Sequence, residues 1–263
     1  MSKPIAELLH RRSDLSTFLV HLTRTIDAAN PRSNLLSILA HQTLEARSVL
    51  GMGHALAQQD EAFAQTQRVV CSTETPLEHV WMMCEEIENR ALQFAPYGLA
   101  LTKTWARRKG VNPVWYVDIT VGHSWLTRPI NELLELAARG RATRWDAEAQ
   151  DAQPLPAAQS QAARLAPFVE QMGNPSGTRK EFWWEREWRH VGDLFFQWWD
   201  IVTVFAPEAD HDQFQADLAA AKAALGHSVN MEWLHFLDPR WGLERMIASL
   251  ARVASGNIGP FPA

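Results

Sequence analysis

The patterned part of the chain begins with an apolar, β-leaning run, Leu15 to Thr23, which reads as a strand ending near His21. Asn30-Pro31-Arg32-Ser33 predicts a turn. Ser33 then serves as N-cap of a helix from Asn34 to about Ala46, with Leu35, Ile38 and Leu39 on one face. Gly51 and Gly53 break the pattern beyond that helix, and Arg68 to Ser72 is a short buried strand. In Thr75-Pro76-Leu77-Glu78 the threonine caps, the proline takes the first helical position and the glutamate closes a capping box, so a helix is expected to about Ala91. Tyr97 to Lys103 reads as a strand, Trp105 to Lys109 as a helical turn ending at Gly110, and Val114 to Ile119 as a strand with Pro113 at its start. The Ala-, Gln- and Pro-rich stretch 146–162 predicts a flexible loop. After a second turn at Asn174-Pro175-Ser176-Gly177 come three short strands, Glu187 to Val191, Leu194 to Gln197 and Asp200 to Phe205. From about residue 210 a helical C-terminal extension is expected, with helices over Asp212 to Leu225 and Leu243 to Ala254. Helix and strand mix without regular βαβ alternation. The predicted fold is therefore one α+β domain over 1–263, with a central, partly antiparallel sheet and flanking helices.

Composition narrows the function classes. Hydrophobic residues make up 46% and charged residues 21%, which is ordinary globular usage and argues against disorder. A net charge of −5 excludes a generally basic surface for nucleic acid. Local basic patches remain at Arg107-Arg108-Lys109 and at Arg139, Arg141 and Arg144. No apolar run approaches the roughly 18 residues a membrane span needs. Met1 to Ile5 does not lead into the apolar core of a signal peptide, so a cytoplasmic location is expected, with Cys71 and Cys84 as reduced thiols. Twelve tryptophans stand against two tyrosines, and those at 183, 184, 188, 198 and 199 cluster. They read either as aromatic core or as a stacking wall for bases or sugars.

The most informative run is Glu185-Arg186-Glu187-Trp188-Arg189. Alternate residues of a strand share a face, so Glu185 and Glu187 would point into one site crowded by Trp183, Trp184 and Trp188. Such a pair can hold ribose hydroxyls, stabilise a developing cation or activate a nucleophile. Equally, Arg186 and Arg189 can neutralise both glutamates in a structural ion cluster. His21 and Thr23, leaving a strand, can donate to a ligand or simply pack. Ser72 lies at a strand end before a helix start, a position that suits an anion, a ribose or capping. Arg47 beside the Gly51 and Gly53 turn can bind phosphate, although the spacing is not that of a Walker loop. The histidines do not pair at i, i+4 with an acidic neighbour, and no metal is predicted. A G-x-S-x-G elbow, a kinase signature and a dinucleotide glycine fingerprint are all missing.

Several segments taken in order carry a resemblance: Phe18-Leu19-Val20-His21-Leu22-Thr23, Asn34-Leu35-Leu36-Ser37-Ile38-Leu39, Val70-Cys71-Ser72-Thr73-Glu74-Thr75-Pro76-Leu77, Tyr97-Gly98, Gly110-Val111-Asn112-Pro113-Val114-Trp115-Tyr116 and Trp184-Glu185-Arg186-Glu187-Trp188-Arg189. This order resembles the AbiGi abortive phage resistance family, labelled an antitoxin by its family name, over residues 17 to about 206. The last segment is the most specific. The layout is more distantly similar to ADP-ribosyltransferase folds, including the DarT type. That likeness implies that His21 and Thr23 meet the ribose and nicotinamide of NAD, that Ser72 and Tyr97 support the nicotinamide pocket, and that Glu187, with Glu185 before it, is the catalytic glutamate. Here Trp188-Arg189 comes directly after the glutamate, and an arginine so close could neutralise it. The expected function is an ADP-ribosyltransferase-like protein of a bacterial phage-defence or toxin–antitoxin system, using NAD to modify a nucleic-acid or protein acceptor. The alternative is a catalytically inactive antitoxin-type binding module that neutralises a partner protein. The two separate on whether Glu187 faces an open cleft or is paired with Arg186 and Arg189. A third reading, a metal-dependent nucleic-acid enzyme, lacks a third ligand beside the two carboxylates.

Overall fold

A computed structural model describes residues 14–25, 30–87, 93–123, 125–138, 143–146, 148, 150–154, 161–174, 181–228 and 234–253. In chain order the first elements are β1 (Phe18–Leu22), α1 (Pro31–His41), β2 (Thr43–Leu44), β3 (Ser48–Val49), α2 (His54–Ala57), α3 (Glu61–Gln67) and β4 (Arg68–Thr73). A 3-10 turn (Leu77–His79) leads into α4 (Val80–Cys84), β5 (Gly98–Thr102), α5 (Lys103–Arg108), β6 (Asn112–Pro113), β7 (Trp115–Asp118) and α6 (Thr127–Ala138). Then come β8 (Thr143–Asp146), β9 (Asp151–Pro154), α7 (Gln161–Leu165), β10 (Val169–Met172), β11 (Glu187–Val191), β12 (Leu194–Phe195), β13 (Ile201–Phe205), α8 (His211–Ala224), β14 (Phe236–Leu237) and α9 (Leu243–Leu250). The fold is α+β, and most strand pairs are antiparallel.

By its internal contacts the chain divides into two compact units. The first takes the described residues up to Thr43, then Ser72–Lys109 and those from Phe195 onward; the second takes Leu44–Cys71 and Gly110–Leu194. In the first unit the strands run β14-β13-β5-β1. Gly98, Leu99, Ala100 and Leu101 of β5 are all buried, the continuous apolar run of a strand covered on both faces. β5 pairs with β1 from Phe18↔Thr102 to Leu22↔Gly98. Gly98 is needed at the end of that register, because a Cβ there would collide with the His21 carbonyl oxygen. Helices α1 and α8 pack together. Each offers a buried i, i+4 pair, Leu35 with Leu39 and Phe214 with Leu218, and each such side chain contributes about 1.5–3 kcal/mol of burial. In the second unit β3 and β6 pair antiparallel to β4 and β11, while β10 runs parallel to β7. Gly51 closes a turn at φ +79°, and a Cβ there would strike the Ala166 and Val169 carbonyls that hold Met52 N–H.

The helix boundaries differ from expectation for identifiable reasons. Asn30, not Ser33, caps α1: its side chain accepts the Ser33 N–H at 2.8 Å, and Pro31 takes the first helical position. The helix stops at His41 because Gln42 turns left-handed at φ 54° and returns its N–H to Ile38 and Leu39. The capping box at Thr75 does not form. Thr73 Oγ1 takes the Thr75 N–H at 3.2 Å and pairs with its hydroxyl at 2.8 Å, so a 3-10 turn and the five-residue α4 replace the expected helix. Of that expected helix, residues 88–91 lie outside the described residues, as do 147, 149 and 155–160 of the expected loop and 175–177 of the expected second turn. Within the rest of 146–162, Asp151–Pro154 is a strand paired with Thr143–Asp146, and α7 begins at Gln161. The expected strand Leu194–Gln197 is only two residues long, since Trp198–Asp200 forms a 3-10 turn.

Candidate functional site

The Glu187 region is built by the start of β11. Chain reversal comes first: Trp183–Glu185 is a 3-10 turn, and Arg186 sits in the left-handed region at φ 48°. The strand pleat therefore starts only at Glu187, and Glu185 does not share a strand face with it. The residue that does, two positions on, is Arg189.

Arg189 is 1% exposed. Its Nε donates to Glu187 Oε1 at 3.0 Å and its Nη2 to Glu187 Oε2 at 2.7 Å, a bidentate fork. Nη2 also donates to Glu170 Oε2 at 2.8 Å, and Nη1 to the Pro167 carbonyl at 2.6 Å. Glu170 Oε2 in turn accepts the Gly51 N–H at 3.1 Å, which fastens the turn to the same knot. Burial alone would lower the Arg189 pKa. The charge and hydrogen bonds of Glu187, with the charge of Glu170, outweigh that and hold it above the usual range. Removal from water pushes the Cys71 thiol well up, and Glu187 adds to the rise against the pull of Arg189. The Tyr116 hydroxyl accepts the Glu187 N–H at 3.4 Å. Its pKa is raised by burial first and by the Glu187 charge second. Both oxygens of Glu187 thus accept from one buried guanidinium.

The residues expected around a nicotinamide lie in the first unit. His21 is on β1, paired with Leu99. The buried Thr23 hydroxyl donates to the Pro31 carbonyl at 2.9 Å and the Tyr97 carbonyl at 3.1 Å, tying the chain after β1 to the starts of α1 and β5. Ser72 is buried in β4. The Tyr97 hydroxyl donates to Asp210, which also pairs with Arg32 Nε at 3.5 Å. Burial, then the bond to Asp210 and its charge, push Tyr97 up to about 12. The structure thus joins Thr23 and Tyr97 through backbone and assigns Glu185, Glu187 and Arg47 to the second unit. Arg47 is bound locally to Glu45 at 2.7 Å in an exposed pair. Arg107, Arg108 and Lys109 are exposed at the end of α5, Arg139 and Arg141 lie outside the described residues, and Arg144 is on β8. Among the described residues, no group of three or more His, Cys, Asp or Glu could hold a metal ion. No helix among them is long and apolar enough to cross a membrane.

Sequence reading missed Glu170, Tyr116 and Cys71 as members of this cluster. The available signal was the i, i+2 rule applied forward from Glu187 to Arg189; Glu170 is 19 residues away and carries no local pattern.

The model of the family described as "Putative abortive phage resistance protein AbiGi, antitoxin" matches residues 52–216. The chain belongs to the AbiGi family. The match contains Cys71, Tyr116, Pro167, Glu170, Glu187 and Arg189, and with them most of the second unit. No curated protein and no solved structure matches the chain, so the more distant likeness to DarT-type transferases has no support there.

Proposed function

We propose that this AbiGi chain is an antitoxin-type binding module of a phage-defence system, which acts by holding a partner protein and not by turning over NAD. The observation that carries this reading is the bidentate Arg189–Glu187 pair with Glu170 and Pro167 completing the shell. A transferase glutamate must be free to hold a ribose hydroxyl and face a developing cation. Here that carboxylate already faces one, buried and geometrically matched. The family description supplies the antitoxin label. The NAD-dependent transferase reading, with His21, Thr23, Arg47, Ser72 and Tyr97 around the cofactor and Glu187, Glu185 and His21 catalytic, stands behind it.

The test is neutralisation. The protein encoded beside this chain is expressed alone and together with it, and growth is monitored. Arrest relieved by the wild-type chain, and equally by Glu187→Gln, supports the binding reading. Nicotinamide release from NAD by the purified chain, lost in Glu187→Gln, overturns it in favour of the transferase.

A further inference from the structure

In the first unit, α4 turns Val80 and Met83 inward and leaves Trp81 and Met82 exposed. Helix α9 packs against the 3-10 turn from which α4 continues, and against β14. Apolar residues at 243, 246, 247 and 250 form one stripe along α9 at helical spacing. Only Met246 is buried; Leu243 is 50% and Ile247 55% exposed. The stripe is therefore wider than the surface that covers it. Carboxylates stand on the same elements: Glu78 on the turn, Glu85 and Glu86 just after α4, and Glu244 on α9. None of the four is in an ion pair among the described residues. Arg245 is tied to Glu208 and stacked 4.3 Å over Trp241, which leaves the acids uncompensated by it.

We propose that this face docks a basic amphipathic helix of the partner protein. The inference rests on the binding-module reading and names the chemistry of the segment bound. Leucine-like residues at i, i+3 or i+4 and i+7 would cover Trp81, Met82, Leu243 and Ile247. Flanking lysines or arginines would meet Glu78, Glu85, Glu86 and Glu244, and an acidic segment would be repelled. Phe195 and Trp199 are also exposed in this unit, but the carboxylate next to them in the chain, Asp200, is committed to the Gln197 N–H at 2.8 Å.

Two synthetic helical peptides test it. They share the same leucine positions and carry either lysine or glutamate elsewhere. Each is titrated against the full-length chain by fluorescence anisotropy. The lysine peptide is expected to bind at least about ten-fold more tightly than the glutamate peptide, a difference worth roughly 1.4 kcal/mol. Leu243→Asn with Ile247→Asn weakens it by about ten-fold or more, on the scale of losing interface anchors. Glu85→Gln with Glu86→Gln weakens it chiefly at low salt. Trp199→Ala leaves it unchanged, and circular dichroism of every variant matches the wild type. Equal binding of the two peptides overturns the proposal, as does binding indifferent to the α9 substitutions. So does wild-type self-association that those substitutions abolish, since the face would then bind a second copy. In the growth assay, a wild type and an α9 variant that both neutralise overturn this surface and leave the binding-module reading standing. A wild type that consumes NAD overturns that reading whatever the peptides do.

Discussion

Each unit buries a cation, and the two are held in opposite ways. Arg189 in the second unit is gripped by two carboxylates and a carbonyl. Lys222 in the first, 4% exposed, has no carboxylate among its described partners. Its Nζ donates to the Ala40 carbonyl at 3.1 Å and Gln42 Oε1 at 3.4 Å, and it lies 5.4 Å over the Trp198 ring. Ala40 is in the last turn of α1, so Lys222 meets the negative end of a helix dipole and the face of an indole. Both cations satisfy donors that water no longer reaches. The difference lies in what depends on them. The described partners of Lys222, Ala40, Gln42 and Trp198, are neutral and survive its loss. Those of Arg189 are charged, and without it two carboxylates share a shielded space. Arginine suits the second task because its planar fork stays charged and answers several acceptors at once.

Removing the more heavily charged of the two should have the largest effect. Arg189→Met should destabilise the chain by about 3–5 kcal/mol, the range for breaking a buried ion cluster by removing one partner. Chemical denaturation of the purified variant measures it. Adding Glu187→Leu and Glu170→Leu to Arg189→Met should recover most of the loss, since a desolvated cluster replaced as a whole by apolar groups is close to neutral. A triple variant as unstable as the single one would mean that packing of the arginine, not its charge balance, holds the knot.

This asymmetry explains what the sequence could disclose. Strand β11 and helix α8 were legible almost residue for residue, because local signals specify them: Gly192-Asp193 closes one and a helix-favouring composition marks the other. The glutamate–arginine run was visible as a choice between a reactive pair and a neutralised one. The residues that pair Glu187 through Arg189 with the rest of the cluster left less trace. Arg186 had to go left-handed for the pleat to begin at Glu187, and Glu170 had to arrive from β10. Long-range partners leave no spacing in the chain. The same holds for Lys222, which sits at 182 residues from Ala40 and reads as an ordinary position on a helix. Local competition also defeated the capping box at Thr75, since Thr73 offered the nearer acceptor.

Lys222→Met should cost less than Arg189→Met, about 1–3 kcal/mol. It forfeits hydrogen bonds to a charged donor but leaves no uncompensated charge behind. Gln42 would lose one partner and keep its bonds to the Phe196 carbonyl and Gln197. Equal losses for the two variants in the same denaturation experiment would abolish the distinction between carboxylate-held and dipole-held cations.

The smallest effect belongs to a third cation, Arg32, which is paired with two carboxylates as Arg189 is but is only partly buried. It lies 2.6 Å from Asp217 and 3.5 Å from Asp210, with 25% of its side chain exposed. Solvent screening makes such pairs weak, so Arg32→Met should shift the unfolding midpoint least of the three. Its signature is in the pH dependence. The hydrogen bond from Arg32, then that from Gln213, holds the Asp217 carboxyl below its ordinary value. A depressed folded value means stability that is present above the unfolded pKa, about 3.9, and is lost as pH falls through the folded one. Tyr97, on the other side of Asp210, is raised to about 12. A raised folded value means stability that is complete below the unfolded pKa, about 10, and is lost as pH rises through the folded one. Arg32→Met should therefore flatten the acid limb of stability against pH, and Tyr97→Phe part of the alkaline limb. The remaining alkaline slope is shared in the second unit by Tyr116, whose phenol is raised by burial and by Glu187, and by the Cys71 thiol, raised by burial and by Glu187. An alkaline limb identical in wild type and Tyr97→Phe would assign it to Tyr116 and Cys71, and with them place the pH sensitivity in the Arg189 knot and not at the Arg32 surface.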